Sequence, residues 1–108
     1  MQYWILLASA IVFEVGGTTA MKLSYGLTRL IPSLLVFVLY AISFVLFSLA
    51  LKKIDVSVAY AIWAGIGTAA IAIIGFVYFR ESVTTLKLVS IALIIAGVVG
   101  LNLGGVRQ

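Results

Sequence analysis

The run from Trp4 to Met21 is apolar except for a few small polar residues and one formal charge, Glu14. A carboxylate at mid-membrane costs about 3 kcal/mol on insertion scales. A chain that keeps such a group, and places no cation in the same stretch, is expected to use it as a site for a proton, a cation, or both in turn. Helical spacing sets Leu7, Ala10, Gly17, Thr18 and Met21 on the face of Glu14. Ala10 and Gly17 leave room beside the carboxylate, and Thr18, one turn on, can donate a hydrogen bond to it. The competing reading is a tight helix contact made of small residues.

A second group of candidates lies in the segment Val58-Ala59-Tyr60-Ala61-Ile62-Trp63-Ala64-Gly65-Ile66-Gly67. Tyr60, Trp63 and Gly67 share a helical face. Aromatic rings attract organic cations through their quadrupole, more strongly where water is excluded. Trp and Tyr also serve as anchors at the headgroup level, but Trp63 lies roughly 12 Å into its span at about 1.5 Å per residue. That depth disfavours the anchor role, whereas Trp4, at the start of the first span, suits it. Gly65 and Gly67 sit mid-span, where glycine loosens a helix and offers a hinge; close packing explains them as well. Tyr40 and Ser43 are further candidates for the same chamber. Burial favours the neutral form of a carboxyl, so a proton and a lipophilic cation have alternate claims on one acid. If the empty site cannot easily switch sides, the outcome is exchange.

These residues need elements that hold them in lipid. The chain has 108 residues, of which 65% are hydrophobic and 9% charged. A soluble domain is normally about 25% charged. Between Leu30 and Leu51, between Val56 and Phe79, and between Leu88 and Val106 there is no charge at all. Each interval can cross a hydrocarbon core of about 30 Å as a helix. The expectation is an all-α membrane protein, a single four-helix transmembrane domain over residues 1–108 with spans near 3–21, 31–51, 56–79 and 86–104. The first span lacks the basic n-region and cleavage site of a signal peptide. No cysteine or histidine is present, so disulfides and thiolate metal sites are excluded, and no cofactor is expected. The net charge of +4 is spread over connections. It suits headgroup contact rather than nucleic acid.

The short connections force neighbouring helices to run antiparallel. Pro32 suits the first turn of its helix, and Asp55, Ser82, Thr84 and Thr85 are candidate N-caps. Lys52, Lys53 and Arg107 fall on one side of the membrane, against Lys22, Arg29, Arg80 and Lys87 on the other. Lysine–arginine bias normally fixes orientation; this near balance leaves open a single orientation or insertion both ways up, with pairing as an antiparallel dimer. Four helices barely enclose a cavity while shielding Glu14. Ser90, Gly97, Gly100 and Gly104 offer a contact surface on the fourth span, Gly100 and Gly104 in a G-x-x-x-G spacing that lets backbones approach. Ordinary bundle packing is the alternative.

Taken together, the chain resembles the small multidrug resistance family, without gaps and over nearly its whole length. The resemblance is carried by Glu14 with Gly17-Thr18-Thr19 and Met21-Lys22, then Gly26, Thr28-Arg29, Pro32-Ser33 and Ser43-Phe44. It continues through Ala59-Tyr60-Ala61-Ile62-Trp63 with Gly65 and Gly67. It implies a proton-coupled antiporter of the bacterial inner (plasma) membrane, not an enzyme, acting as an antiparallel, dual-topology homodimer. It further implies that Glu14 binds proton and substrate in turn, with Tyr60 and Trp63 lining the site. The guanidinium-exporting branch typically has tryptophan two residues after the glutamate. Gly16 here resembles the branch that exports quaternary ammonium and polyaromatic cations. Trp4 and Ser90 depart from the family's usual tyrosine and glycine. The alternatives are a guanidinium exporter of the same family, a dual-topology ion channel, and an accessory membrane subunit that tolerates loss of the acid.

Overall fold

The computed structural model describes residues 2–105. Arg107, one of the loop charges weighed for orientation, lies outside them. The elements are α1 (Gln2–Leu23), α2 (Leu30–Ala50), α3 (Val56–Val77) and α4 (Thr85–Gly105). All four are long and apolar enough to span a membrane. At about 1.5 Å per residue each is about 32 Å long, matching the bilayer core. Their apolar residues are not confined to one stripe. Exposed large hydrophobics such as Ile5, Val12, Phe37, Val45, Ile73 and Leu93 suit lipid rather than water as the surrounding solvent. The chain divides into two compact units, Met1–Lys53 and Ile54–Gln108, each built on one helical hairpin.

In the first unit α1 packs along α2. The buried face combines Leu7, Ala10, Ile11, Gly17 and Ala20 of α1 with Val36, Ser43 and Ala50 of α2. Small residues dominate, so the two backbones approach closely. The turn between them is tied at Ser24, which is fully buried. Its hydroxyl donates to the Met21 carbonyl at 2.7 Å and accepts from the Leu27 N–H at 2.9 Å. Its carbonyl accepts from the N–H groups of Thr28 and Arg29 at 2.9 and 3.0 Å. These bonds hold Tyr25, Gly26 and Leu27 at φ of 50°, 71° and 67°. Only Gly26 takes that left-handed region freely; each of its neighbours carries about 1–2 kcal/mol of strain there. The Arg29 guanidinium lies 4.1 Å from the Tyr25 ring centre. Pro32 falls in the first turn of α2, where a missing N–H leaves no helical bond unmade.

In the second unit α3 and α4 meet where Gly65 lies against Val98 and Ile94. The end of α3 closes through the Tyr78 N–H on the Ile74 carbonyl at 2.7 Å and the Glu81 N–H on the Gly75 carbonyl at 2.9 Å. Arg80, at φ 57°, takes the left-handed position that helix ends usually give to glycine. Thr84 caps α4, accepting from the Lys87 N–H at 3.1 Å. Asp55 stands at the N-cap position of α3 but makes no side-chain cap bond, so its expected capping role is not used. α4 is the least covered of the four spans and α1 the most.

Candidate functional site

α1 carries Glu14 about halfway along its length, half-buried. One turn on, Thr18 Oγ1 donates to Glu14 Oε2 at 2.7 Å. The same hydroxyl lies 2.6 Å from the Tyr40 hydroxyl of α2. A threonine hydroxyl has one proton. With that proton on the carboxylate, the Tyr40 O–H must donate to Thr18. The three groups then form a directed chain, Tyr40 to Thr18 to Glu14, ending on the acid. A hydrogen bond to an ionised acceptor is stronger than a neutral one, and in low dielectric each bond of a chain polarises the next.

Gly17 makes this chain possible. A Cβ there would sit 2.5 Å and 2.6 Å from Cδ1 and Cε1 of Tyr40. The tyrosine ring therefore lies against the bare backbone of α1, and its hydroxyl reaches Thr18. The space expected beside Glu14 at Gly17 is filled by Tyr40. Gly16 is less constrained, with Leu39 Cδ1 at 3.4 Å from a built Cβ. Ala10 and Ser43 are both fully buried. The Ser43 hydroxyl donates to the Ala10 carbonyl at 2.6 Å. In this conformation the pair ties α1 to α2 rather than facing an open chamber. Tyr40 also stands near Phe44, ring centres 6.0 Å apart.

The second unit holds the aromatic candidates. Tyr60 and Trp63 lie with ring centres 5.6 Å apart and planes tilted by 50°. Tyr60 is 57% exposed and Trp63 half-buried. Gly65 and Gly67 are buried, and α3 runs unbroken through both. Gly65 is held so tightly against Val98 that a side chain there would collide, which is the close-packing use of glycine. Ser90, Gly97 and Gly100 lie on exposed parts of α4. A Cβ added at Gly97 or Gly100 would meet nothing within 4 Å. Trp4, near the start of α1, is 43% exposed. No group of three or more acidic, histidine or cysteine side chains that could hold a metal occurs among the described residues. Sequence spacing gave no direct signal for the Gly17–Tyr40 contact or for the buried role of Ser24. Both depend on which faces α1 and its turn present after packing.

A single apolar span bearing one acid, hydroxyl-linked to the next helix, narrows the comparison with known proteins. The profile described as Small Multidrug Resistance protein matches residues 2–94. The chain belongs to the small multidrug resistance family. It is 56% identical over 100 residues to the membrane protein YvaE of Bacillus subtilis, covering 93% of this chain and 84% of that one. It is 43% identical over 103 residues to the quaternary ammonium compound-resistance protein QacF of Klebsiella aerogenes, covering 95% and 94% of the two chains. It is also 41% identical over 100 residues to a guanidinium exporter of Salmonella typhimurium, covering 93% and 95%. With four spanning helices and this family membership, the chain is a multi-pass transporter of the bacterial inner membrane.

Proposed function

We propose that the protein exports lipophilic and quaternary ammonium cations in exchange for protons, with Glu14 holding the proton and the cation in turn. The observation that carries the reading is the chain from Tyr40 through Thr18 to Glu14. It gives the only acid of the α1 span a compensating donor when neither ligand is bound. An arriving cation then competes for the same negative charge. A proton removes that charge and releases the cation. Tyr60 and Trp63 supply aromatic faces suited to the cation's apolar body. The small residue at Gly16 agrees with a site for bulky substrates.

The proposed assembly is an antiparallel homodimer, so that two Glu14 carboxyls serve one site. Near-equal loop charge on the two sides supports insertion both ways up. The open glycine face of α4 supports close approach of a second copy. Gly65 and Gly67 are proposed as the flexible point of α3 when access switches. A guanidinium exporter is the second reading, favoured by similarity to a protein of that name almost equal to that shown by QacF. Gly16 separates the two, because the planar aromatic residue typical of that branch is absent.

Proteoliposomes carrying a pH gradient test both readings. Tetraphenylphosphonium should accumulate against its gradient, and Glu14→Gln should abolish the accumulation. Guanidinium transport without tetraphenylphosphonium transport moves the protein to the second reading. Passive flux that ignores Glu14→Gln refutes both.

A further inference from the structure

Two threonines donate their hydroxyl proton back into their own helix, and each does so across a pair of glycines. Near the middle of α3, Thr68 Oγ1 donates to the Ala64 carbonyl at 2.6 Å. The residues between are Gly65, Ile66 and Gly67. In α1, Thr19 Oγ1 donates to the Val15 carbonyl at 2.9 Å, across Gly16, Gly17 and Thr18. The other two helices lack the combination: α2 has no glycine, and α4 has no serine or threonine beyond Ser90. The pairing belongs to the helices that carry Glu14 and the Tyr60–Trp63 aromatics.

An α-helix already gives the Ala64 carbonyl a donor, the N–H of Thr68. The hydroxyl is a second donor on the same acceptor. Such back-bonding adds nothing to a straight helix and often bends it. Its value is in the bent state. A bend at Gly65–Gly67 opens the backbone bond that closes over both glycines, from the Thr68 N–H to the Ala64 carbonyl. Lipid offers that carbonyl no replacement, and a threonine side chain can supply one. Thr68 keeps the carbonyl paired while the N–H lets go. Ala64 and Thr68 are exposed, whereas Gly65 and Gly67 are buried. A curve toward the packed side lengthens the bonds on the exposed side, where this hydroxyl stands.

From this geometry we propose that Thr68 is a positioning residue for access switching: its hydroxyl holds the Ala64 carbonyl as α3 bends and so lowers the barrier to the change. This role depends on the reading of Gly65 and Gly67 as the flexible point of α3. A ligand role for Thr68 is disfavoured, because a hydroxyl has one proton and the Ala64 carbonyl takes it. Thr19 holds the equivalent place in α1, but there the Tyr40 ring lies against Gly17, so α3 is the cleaner helix to test. Valine matches threonine in shape and lacks the hydroxyl. Serine keeps the hydroxyl and lacks the methyl. The two replacements separate the bond from the bulk.

The test compares the full-length protein with Thr68→Val, Thr68→Ser and Gly67→Ala. In proteoliposomes, Thr68→Val should lower the maximal rate of pH-driven tetraphenylphosphonium uptake by about three- to twentyfold, the range to which hydrogen bonds within membrane bundles convert. Equilibrium affinity for tetraphenylphosphonium should stay within about twofold, as for a loss confined to the barrier. Thr68→Ser should keep most of the rate. Amide hydrogen exchange reads opening of the backbone bond at position 68 whether or not cations are carried. Protection there should rise in Thr68→Val. Gly67→Ala, which stiffens the same turn, should also slow uptake. A normal rate in Thr68→Val beside a slow Gly67→Ala overturns the role of the hydroxyl and leaves the flexible point standing. A normal rate in Gly67→Ala removes the flexible point, and the role of Thr68 with it. Unchanged protection at position 68, an affinity that falls in step with the rate, or a Thr68→Ser as slow as Thr68→Val also refutes the assignment. Thr68 is exposed, so its variants should fold, and circular dichroism of each variant verifies this.

Discussion

Replacing Gly17 with alanine tests the geometry that places Tyr40 on the acid. A Cβ at this position would lie 2.5 Å from the Tyr40 ring, whereas carbon atoms pack at about 3.5–4.0 Å. The ring must therefore move by about 1 Å. Its hydroxyl, now 2.6 Å from Thr18, would be carried toward the limit at which a hydrogen bond ceases, about 3.5 Å. Overpacking of this kind costs about 1–3 kcal/mol. Alanine in place of a mid-helix glycine returns about 0.5–1 kcal/mol, so the net loss is between almost nothing and about 2.5 kcal/mol. The sign in a second background is more decisive than the size. With Tyr40→Ala the obstacle is gone, and Gly17→Ala should stabilise by its full helix-propensity gain, about 0.5–1 kcal/mol. Reversible unfolding in mixed detergent and dodecyl sulfate micelles, followed by circular dichroism, supplies all four corners of the cycle. The coupling between the two positions should be about 1–3 kcal/mol. Tetraphenylphosphonium binding should weaken in Gly17→Ala, and Tyr40→Phe, which loses the hydroxyl and keeps the ring, should share that loss without the instability. If Gly17→Ala has the same effect with and without the tyrosine ring, the close contact does not position the chain of hydroxyls.

Three further outcomes are expected. Glu14→Gln should eliminate pH-gradient-driven uptake of tetraphenylphosphonium in proteoliposomes while leaving the helical circular dichroism unchanged. Ser24→Ala leaves the Leu27 N–H without its side-chain acceptor in a left-handed turn; it should lower stability by about 1–3 kcal/mol in the same unfolding titration. A Cβ added at Gly97 meets nothing within 4 Å, so Gly97→Leu should leave helix content intact and abolish cross-linking or energy transfer between labelled copies.

The four apolar spans were legible because lipid imposes a simple rule: backbone groups must be satisfied within the segment, so a long uncharged interval is a helix. Glu14 was legible for the complementary reason, since a lone charge in such an interval needs a use. Thr18 followed from a four-residue spacing, which brings side chains together in any α-helix. The capping residues show where local reading weakens. Thr84 binds the first turn of α4, but Asp55, equally suited by type, makes no side-chain bond.

Sequence alone determined the medium, the number and length of the spanning helices, the acid and its helical neighbours, and the family resemblance. Those properties depend on residue type and on contacts within one helix. Tertiary structure decided which small residues are closely approached. Gly17 is bare backbone under the Tyr40 ring, Gly65 is bare backbone under Val98, and Ser43 donates its hydroxyl proton to the Ala10 carbonyl. Gly97 and Gly100 carry the same side chain, or lack of one, and face open space. Glycine permits close approach wherever it stands, and only the neighbouring helix determines which glycines are approached. The same is true of Tyr40, whose place at the end of the chain to Glu14 depends on the rotation of α2 against α1. Spacing along a single helix does not encode that rotation.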